Sequence, residues 1–332
     1  MLVDTHLGSI ETAADDAQHA EELGYDGAFT GEVSSDPFLP LAVAAGTTER
    51  MTIGTSIAVA FARSPMTLAY TAHDLQRASG GRFILGLGSQ VKPHIVRRFA
   101  MPWHQPAAQM RELIHAMRAI WASWQTGEPL AFEGEYYQHT LMPPMFTPTR
   151  HQYGDPPIYL AGVGDAMTRV AGEVADGFLC HAFTTARWIE ERTLPALAAG
   201  CASSGRGRSD LVVKATVFLA TGTDEEIATA VAAIRAQLAF YASTPSYRPV
   251  LELHGWGDLG PELTTLSKAG RWAELVDLID DDVVDAFAVI ASPADVVEQV
   301  RTRYAGVVDR VSFIGSALPA DLIAALQNPT TD

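Results

Sequence analysis

The chain has 332 residues, 48% of them hydrophobic, with a formal net charge of −16. This acidic balance excludes partners that require a basic patch, such as nucleic acid or an anionic membrane. Any phosphate site must therefore be assembled from local groups. The two cysteines, Cys180 and Cys201, form neither a disulfide framework nor a CxxC pair, so a reducing cytoplasm is the expected compartment. The first residues, MLVDTHLGSIETAADD, lack a basic n-region and soon turn acidic, unlike a signal peptide. The longest uncharged apolar run, residues 51–62, is too short to span a bilayer.

Taken in order, residues 2–5 read as a strand. Residues 10–23 form an alanine-rich helix stopped by Gly24. Strand 26–30, helix 40–47 and strand 52–61 follow, then helix 67–78, the turn Ser79-Gly80-Gly81 and strand 83–88. Residues 105–126 are a long helix whose Trp121 and Trp124, like Trp103 just before it, read as core. The stretch 127–155 is polar, aromatic and proline-rich, an excursion with a hairpin around FEGEYYQH.

The alternation then resumes: strand 158–161, helix 166–174, strand 177–180, helix 187–199, strand 211–220 and helix 224–242. A second irregular insertion covers 243–285, with short helices near 261–269 and 272–278. Helix 294–304, strand 311–314 and a closing helix 320–326 complete the chain. Eight short apolar strands alternating with amphipathic helices predict a parallel sheet. That number favours a single-domain (β/α)8 TIM barrel over residues 1–332, with insertions after strand 4 and before strand 8.

In such a barrel, chemistry sits at the C-terminal strand ends. Those ends deliver His6; Thr30, Gly31 and Glu32; Ser56, Ile57 and Val59; Gly88, Ser89 and Gln90; Gly162, Val163 and Gly164; and His181. Small residues there leave room for a flat, flavin-like ligand. Two glycine pairs, Gly86-x-Gly88 and Gly162-x-Gly164, fail the dinucleotide fingerprint, because Val91 and Met167 occupy the third glycine position. The helix after Gly164 offers N–H groups to an anion, although Asp165 could cap that helix itself and repel phosphate. The nearest approach to GxSxG, Gly54-Thr55-Ser56-Ile57-Ala58, lacks its second glycine, and no HExxH, HxH or Cys cluster occurs. No metal site is expected.

Among ionisable residues, Glu32 is the first acid–base candidate, with a solvent-facing or helix-capping role ahead of Pro37 as its alternative. His6 and His181 end strands and serve equally well as wall residues or catalysts. His94 and His104 flank a cluster of Lys92, Arg97 and Arg98 that either covers a ligand or forms an exposed turn.

The stretch IGTSIAVAFARSP, a helix containing Asp74-Leu75, SGGRFILGLGSQ, FEGEYY, PPIYLAGVGDAMTRVAGEVADGF, HGWGDLG and DRVSFIG together resemble the bacterial-luciferase-like superfamily of (β/α)8 flavin and deazaflavin enzymes. Within it the chain is most similar to coenzyme F420-dependent oxidoreductases, and the resemblance covers nearly the whole chain. It implies a cis peptide at Ser56–Ile57 backing the deazaflavin ring, with Gly88-Ser89-Gln90 beside the ring. It also implies that Gly162, Val163 and Gly164, with Thr184, Thr185 and Arg187 after His181, take the coenzyme phosphate. The sugar-phosphate dehydrogenase branch carries a histidine and a glutamate where this chain has Val33 and Val91, so that branch's substrate is excluded. Glu32 and His94 match positions near the coenzyme.

The expected activity is hydride transfer between C5 of coenzyme F420 and a small organic substrate, with Glu32, His6, His94 or His181 handling the proton. The alternatives are an FMN-dependent monooxygenase fed by a partner reductase, and a deazaflavin-binding protein with reduced catalysis. The family also implies a homodimer.

Overall fold

The computed structural model describes residues 1–328. Its eight barrel strands are β1 (Leu2–His6), β2 (Gly27–Thr30), β3 (Thr52–Thr55 and Ala58–Val59), β4 (Phe83–Gly88), β5 (Ile158–Ala161), β6 (Gly177–Leu179), β7 (Val212–Ala220) and β8 (Arg310–Gly315). Each pairs in parallel with the next, and β8 pairs with β1, which closes the sheet. All eight expected strands are present. Closure removes the exposed edges that an open sheet would carry.

Helices wrap the outside. Helix Ala13–Leu23 stops at Gly24, where φ is 89°, a left-handed turn that glycine adopts at no steric cost. Helix Pro65–Ala78 starts on Ser64, whose hydroxyl accepts the Thr67 N–H. Helix Pro106–Thr126 packs on it, and Trp121 Nε1 donates to the Ala69 carbonyl. Trp121 and Trp124 are buried. The first excursion carries the expected hairpin, Phe132–Glu133 against Gln138–His139. Glu112 accepts three backbone N–H groups in its turn, from Glu135, Tyr136 and Tyr137.

Two regions differ from expectation. A short helix, Lys92–Arg97, follows β4. The second insertion carries the two expected helices (Leu259–Lys268 and Trp272–Asp277), adds two more (Arg248–Leu253 and Asp281–Phe287) and ends in a ninth strand, Ala288–Ile290. That strand pairs in parallel with Phe218–Ala220, on the edge of β7 left free beyond its pairing with β6. Three residues carry no readable period, so the sequence pattern could not distinguish it from a helix end.

Strand alternation sorts the interior into layers. Asp4 on β1, Phe29 on β2, Tyr159 on β5, Lys214 on β7 and Arg310 on β8 meet in the lower barrel. Arg310 bonds both Asp4 carboxylate oxygens, at 3.0 and 2.6 Å. Lys214 Nζ stands 3.4 Å from Asp4 and 4.8 Å from the Phe29 ring centroid. Glycines make room for these side chains. A Cβ on Gly54 would stand 2.7 Å from the Phe29 ring, and one on Gly177 would stand 2.5 Å from the Tyr159 ring. Two residues further along, the side chains become small on β2, β5, β7 and β8 (Gly31, Ala161, Thr216 and Ser312), with His6 on β1 the exception, and the interior opens.

Candidate active site

A cavity of about 810 Å³ occupies the C-terminal mouth of the barrel. His6, Gly31, Glu32, Ser56, Ile57, Gly88, Ser89, Gln90, Gly162, Val163, Gly164 and His181 all line it. The fold thus gathers strand-end residues scattered over most of the sequence into one wall.

The β3–β4 side is built by close backbone approach. A Cβ on Gly86 would fall 1.8 Å from the Thr55 carbonyl oxygen, and one on Gly88 would meet the Ile57 side chain at 2.9 Å. The Ser56–Ile57 peptide is cis, as the resemblance implied. Gln90 holds a positive φ of 57°, and its side-chain oxygen accepts the Val91 N–H.

Next to this wall, after β5, which pairs with β4, the Gly162-Val163-Gly164 loop runs into helix Asp165–Val174. No side chain caps that helix, and its first three residues line the cavity. Asp165 turns instead to Arg192, 3.3 Å away. The N-terminus is therefore open to an anion, with its N–H groups facing the ligand space.

Glu32 lines the cavity but is held through one carboxylate oxygen. Its Oε2 accepts the Val59 N–H at 2.7 Å and Arg63 Nη1 at 2.6 Å, and its side chain is only 6% exposed. Arg63 also reaches Asp36 at 3.0 Å. The carboxylate fastens the end of β2 to the end of β3; it neither faces solvent nor caps a helix, so both structural alternatives expected for it are replaced by this tie. Enclosure by the barrel, followed by the positive charge of Lys214, pushes His6 down to about 4. His6 therefore faces the cavity as a neutral imidazole near neutral pH. Burial alone pushes His181 down to about 4 as well. Burial raises the Cys180 thiol to about 12, so this cavity residue is no nucleophile.

Six of the expected strand-end and coenzyme-side residues lie outside the lining: Thr30, whose hydroxyl donates to the Pro37 carbonyl at 2.6 Å, and Val59, His94, Thr184, Thr185 and Arg187. Val59 is fully buried behind the lining, held through its N–H by Glu32. His94 sits exposed on helix Lys92–Arg97, while its neighbours Val91 and Lys92 reach the cavity. Arg187 is exposed and paired with Glu191 at 2.7 Å, and Thr184 stands beside it at half burial. The reason is local. Thr185 caps the short helix Ala186–Trp188 and bonds His254 Nε2 at 2.8 Å, which pins this segment to the second insertion rather than to the mouth.

The sequence reading missed Tyr241, Ser246, Tyr247, Thr216 and Trp103, all of which line the cavity. Trp103 stacks edge-on against Phe61 and was expected to be core. Thr216 follows from the inward register of Lys214. The tyrosines come from a helix end and an insertion, and nothing in their local sequence aims them at the mouth. Tyr247 Oη lies 3.0 Å from His181 Nε2, the two rings are stacked, and Tyr241 meets the same imidazole edge-on.

A family model described as luciferase-like monooxygenase matches residues 3–310. An uncharacterised protein of Mycobacterium tuberculosis is 52% identical over 318 residues, covering 95% of this chain and 94% of that protein. A second protein of that organism, provisionally named a coenzyme F420-dependent oxidoreductase, is 30% identical over 334 residues, with 92% of both chains covered. Among solved structures, the coenzyme F420-dependent tetrahydromethanopterin reductase of Methanopyrus kandleri superposes with a TM-score of 0.78 at 22% identity. That match covers 98% of this chain and 96% of the other, and it carries the fold alone. The match across almost the full barrel, with relatives named as F420-dependent oxidoreductases, places the chain in the luciferase-like monooxygenase family.

Proposed function

We propose that the protein is a coenzyme F420-dependent oxidoreductase acting on a small organic substrate. One observation carries this reading: a single cavity joins a wall of backbone and small side chains to an open helix N-terminus. A flat ring needs the first and a phosphate the second. The residues fit the coenzyme. Ser56, Ile57, Gly88 and Ser89 would lie along the ring. Gly162, Val163, Gly164 and the first turn of helix Asp165–Val174 would hold the phosphate, with Lys92 as the positive charge at the mouth. When bound, the deazaflavin supplies a carbon that gives or takes a hydride. The protein's own residues orient the reactants and exclude water from them.

Spectroscopic titration of the purified protein with coenzyme F420 and, separately, with FMN tests the reading. Micromolar binding of F420 in preference to FMN is expected, and failure to bind F420 sinks it. The family's monooxygenase members support a second reading, reduced FMN supplied by a reductase. Tight FMN binding with oxygen consumption would select it. The reading also carries a homodimer, checked by sedimentation at micromolar concentration.

A further inference from the structure

We propose that the Tyr247 hydroxyl donates the proton to a substrate oxygen, positioned by His181, and that the substrate is a neutral, largely apolar carbonyl compound or the matching alcohol. This rests on the hydride-transfer reading above and adds the residue and the substrate class.

The argument begins with one proton. The Phe183 backbone N–H donates to His181 Nδ1 at 3.0 Å, so that nitrogen is an acceptor and carries no hydrogen. Burial keeps the ring neutral, and its single proton therefore sits on Nε2. Nε2 lies 3.0 Å from Tyr247 Oη and donates to it. Tyr247 thus receives a hydrogen bond from the protein, and its own O–H finds no acceptor among the described residues. The hydroxyl stands on the cavity wall, where a ligand oxygen can take that proton. Burial, reinforced by Tyr241, raises the phenol to about 12, so it is protonated near neutral pH.

The rest of the lining sets the substrate class. Glu32 is held by Arg63, Asp165 by Arg192, and Lys92 is exposed at the rim. His6 is neutral. Val33, Val91, Ile57, Trp103, Leu179 and Ile314 supply apolar surface. A neutral donor in such a wall favours an uncharged oxygen acceptor over a carboxylate or phosphate. In the reduction, carbon gains a hydride from the reduced deazaflavin and the C=O π pair moves onto oxygen. That oxygen takes the Tyr247 proton. The hydride lost would leave the coenzyme oxidised, and the tyrosinate, held by His181 Nε2–H, would regain a proton from water. Alcohol oxidation is the same sequence reversed.

Three measurements on the full chain test this. Nitrogen-15 NMR of histidine-labelled protein, with His181 assigned through His181→Gln, is expected to show a bare Nδ1 and a protonated Nε2. The opposite tautomer overturns the proposal, because Tyr247 would then spend its proton on His181. Coenzyme titration is expected to give equal affinities for wild type and Tyr247→Phe. Lack of binding by the wild type removes the cofactor reading and the proposal with it, whatever the tautomer. With reduced coenzyme and cyclohexanone as the probe, Tyr247→Phe should lower kcat roughly a hundredfold or more with KM little changed, and His181→Gln should lower it less. An unchanged kcat in Tyr247→Phe overturns the proposal. So does failure of coenzyme-bound wild type to turn over cyclohexanone.

Discussion

Asp4 and His6, Lys214 and Thr216, Tyr159 and Ala161 are pairs two residues apart on their strands, facing the same interior. The first member of each lies in a filled layer and the second at a cavity wall. Below, a carboxylate, a guanidinium, an ammonium and two aromatic rings use the available space and charge. Above, glycine, serine, alanine and threonine beside His6 leave room for a ligand. One strand period thus separates a layer that stabilises the barrel from a layer that binds. The price of the filled layer is steep dependence on the shared Asp4 carboxylate, since removing it strands two cations out of water.

The sharpest way to break this contrast is Asp4→Ala. It strands Arg310 and Lys214 without a counter-charge, and a loss of about 3–5 kcal/mol is expected in urea unfolding. Burial and Arg310 already push the Lys214 ammonium downward against the pull of Asp4, so Lys214→Met should cost far less. Next is Gly86→Ala. Its methyl would collide with the Thr55 carbonyl oxygen and force β3 from β4, at a cost of about 1–3 kcal/mol or more. Coenzyme binding should fall with it, because the same backbone forms the cavity wall.

Acid should act on the upper layer in particular. His6 and His181 are held at about 4, against about 6.5 in an unfolded chain. Between those values the unfolded chain binds more protons. Stability is therefore full above about 6.5 and is lost as pH falls toward 4. Melting temperatures across that window should show the decline, and His181→Gln should flatten part of it. Glu32→Gln keeps an oxygen for the Val59 N–H but loses the Arg63 ion pair. A destabilisation of about 1–2 kcal/mol is expected from its urea midpoint. Arg187→Ala should be the mildest change, altering F420 affinity by less than about twofold, because its partner is the half-exposed Glu191 and it does not reach the cavity. A larger effect would return the segment after β6 to the coenzyme site.

Much of the site was legible because barrel strands end where their apolar runs end. His6, Glu32, Ser56, Gly88, Gly162 and His181 could each be placed by counting along one strand. Even the competition at Asp165 could be posed in advance, although its resolution by Arg192 could not. The misplaced residues share a different origin. Val59 lies behind the wall because it follows the break in β3, where Glu32 takes its N–H. Arg187 and Thr184 turn away because His254, nearly seventy residues later, anchors Thr185.

The sequence by itself determined the eight strands, their parallel order and the end of the barrel at which small residues gather. These follow from hydrophobic period and glycine placement, which are local. Only the tertiary structure decided what faces the cavity from outside the strands. Tyr247 meets His181 across sixty-six positions, a contact set by how the second insertion packs over the mouth. The protonation of that pair depends on a backbone N–H at Phe183, and no side-chain pattern records where such a group points.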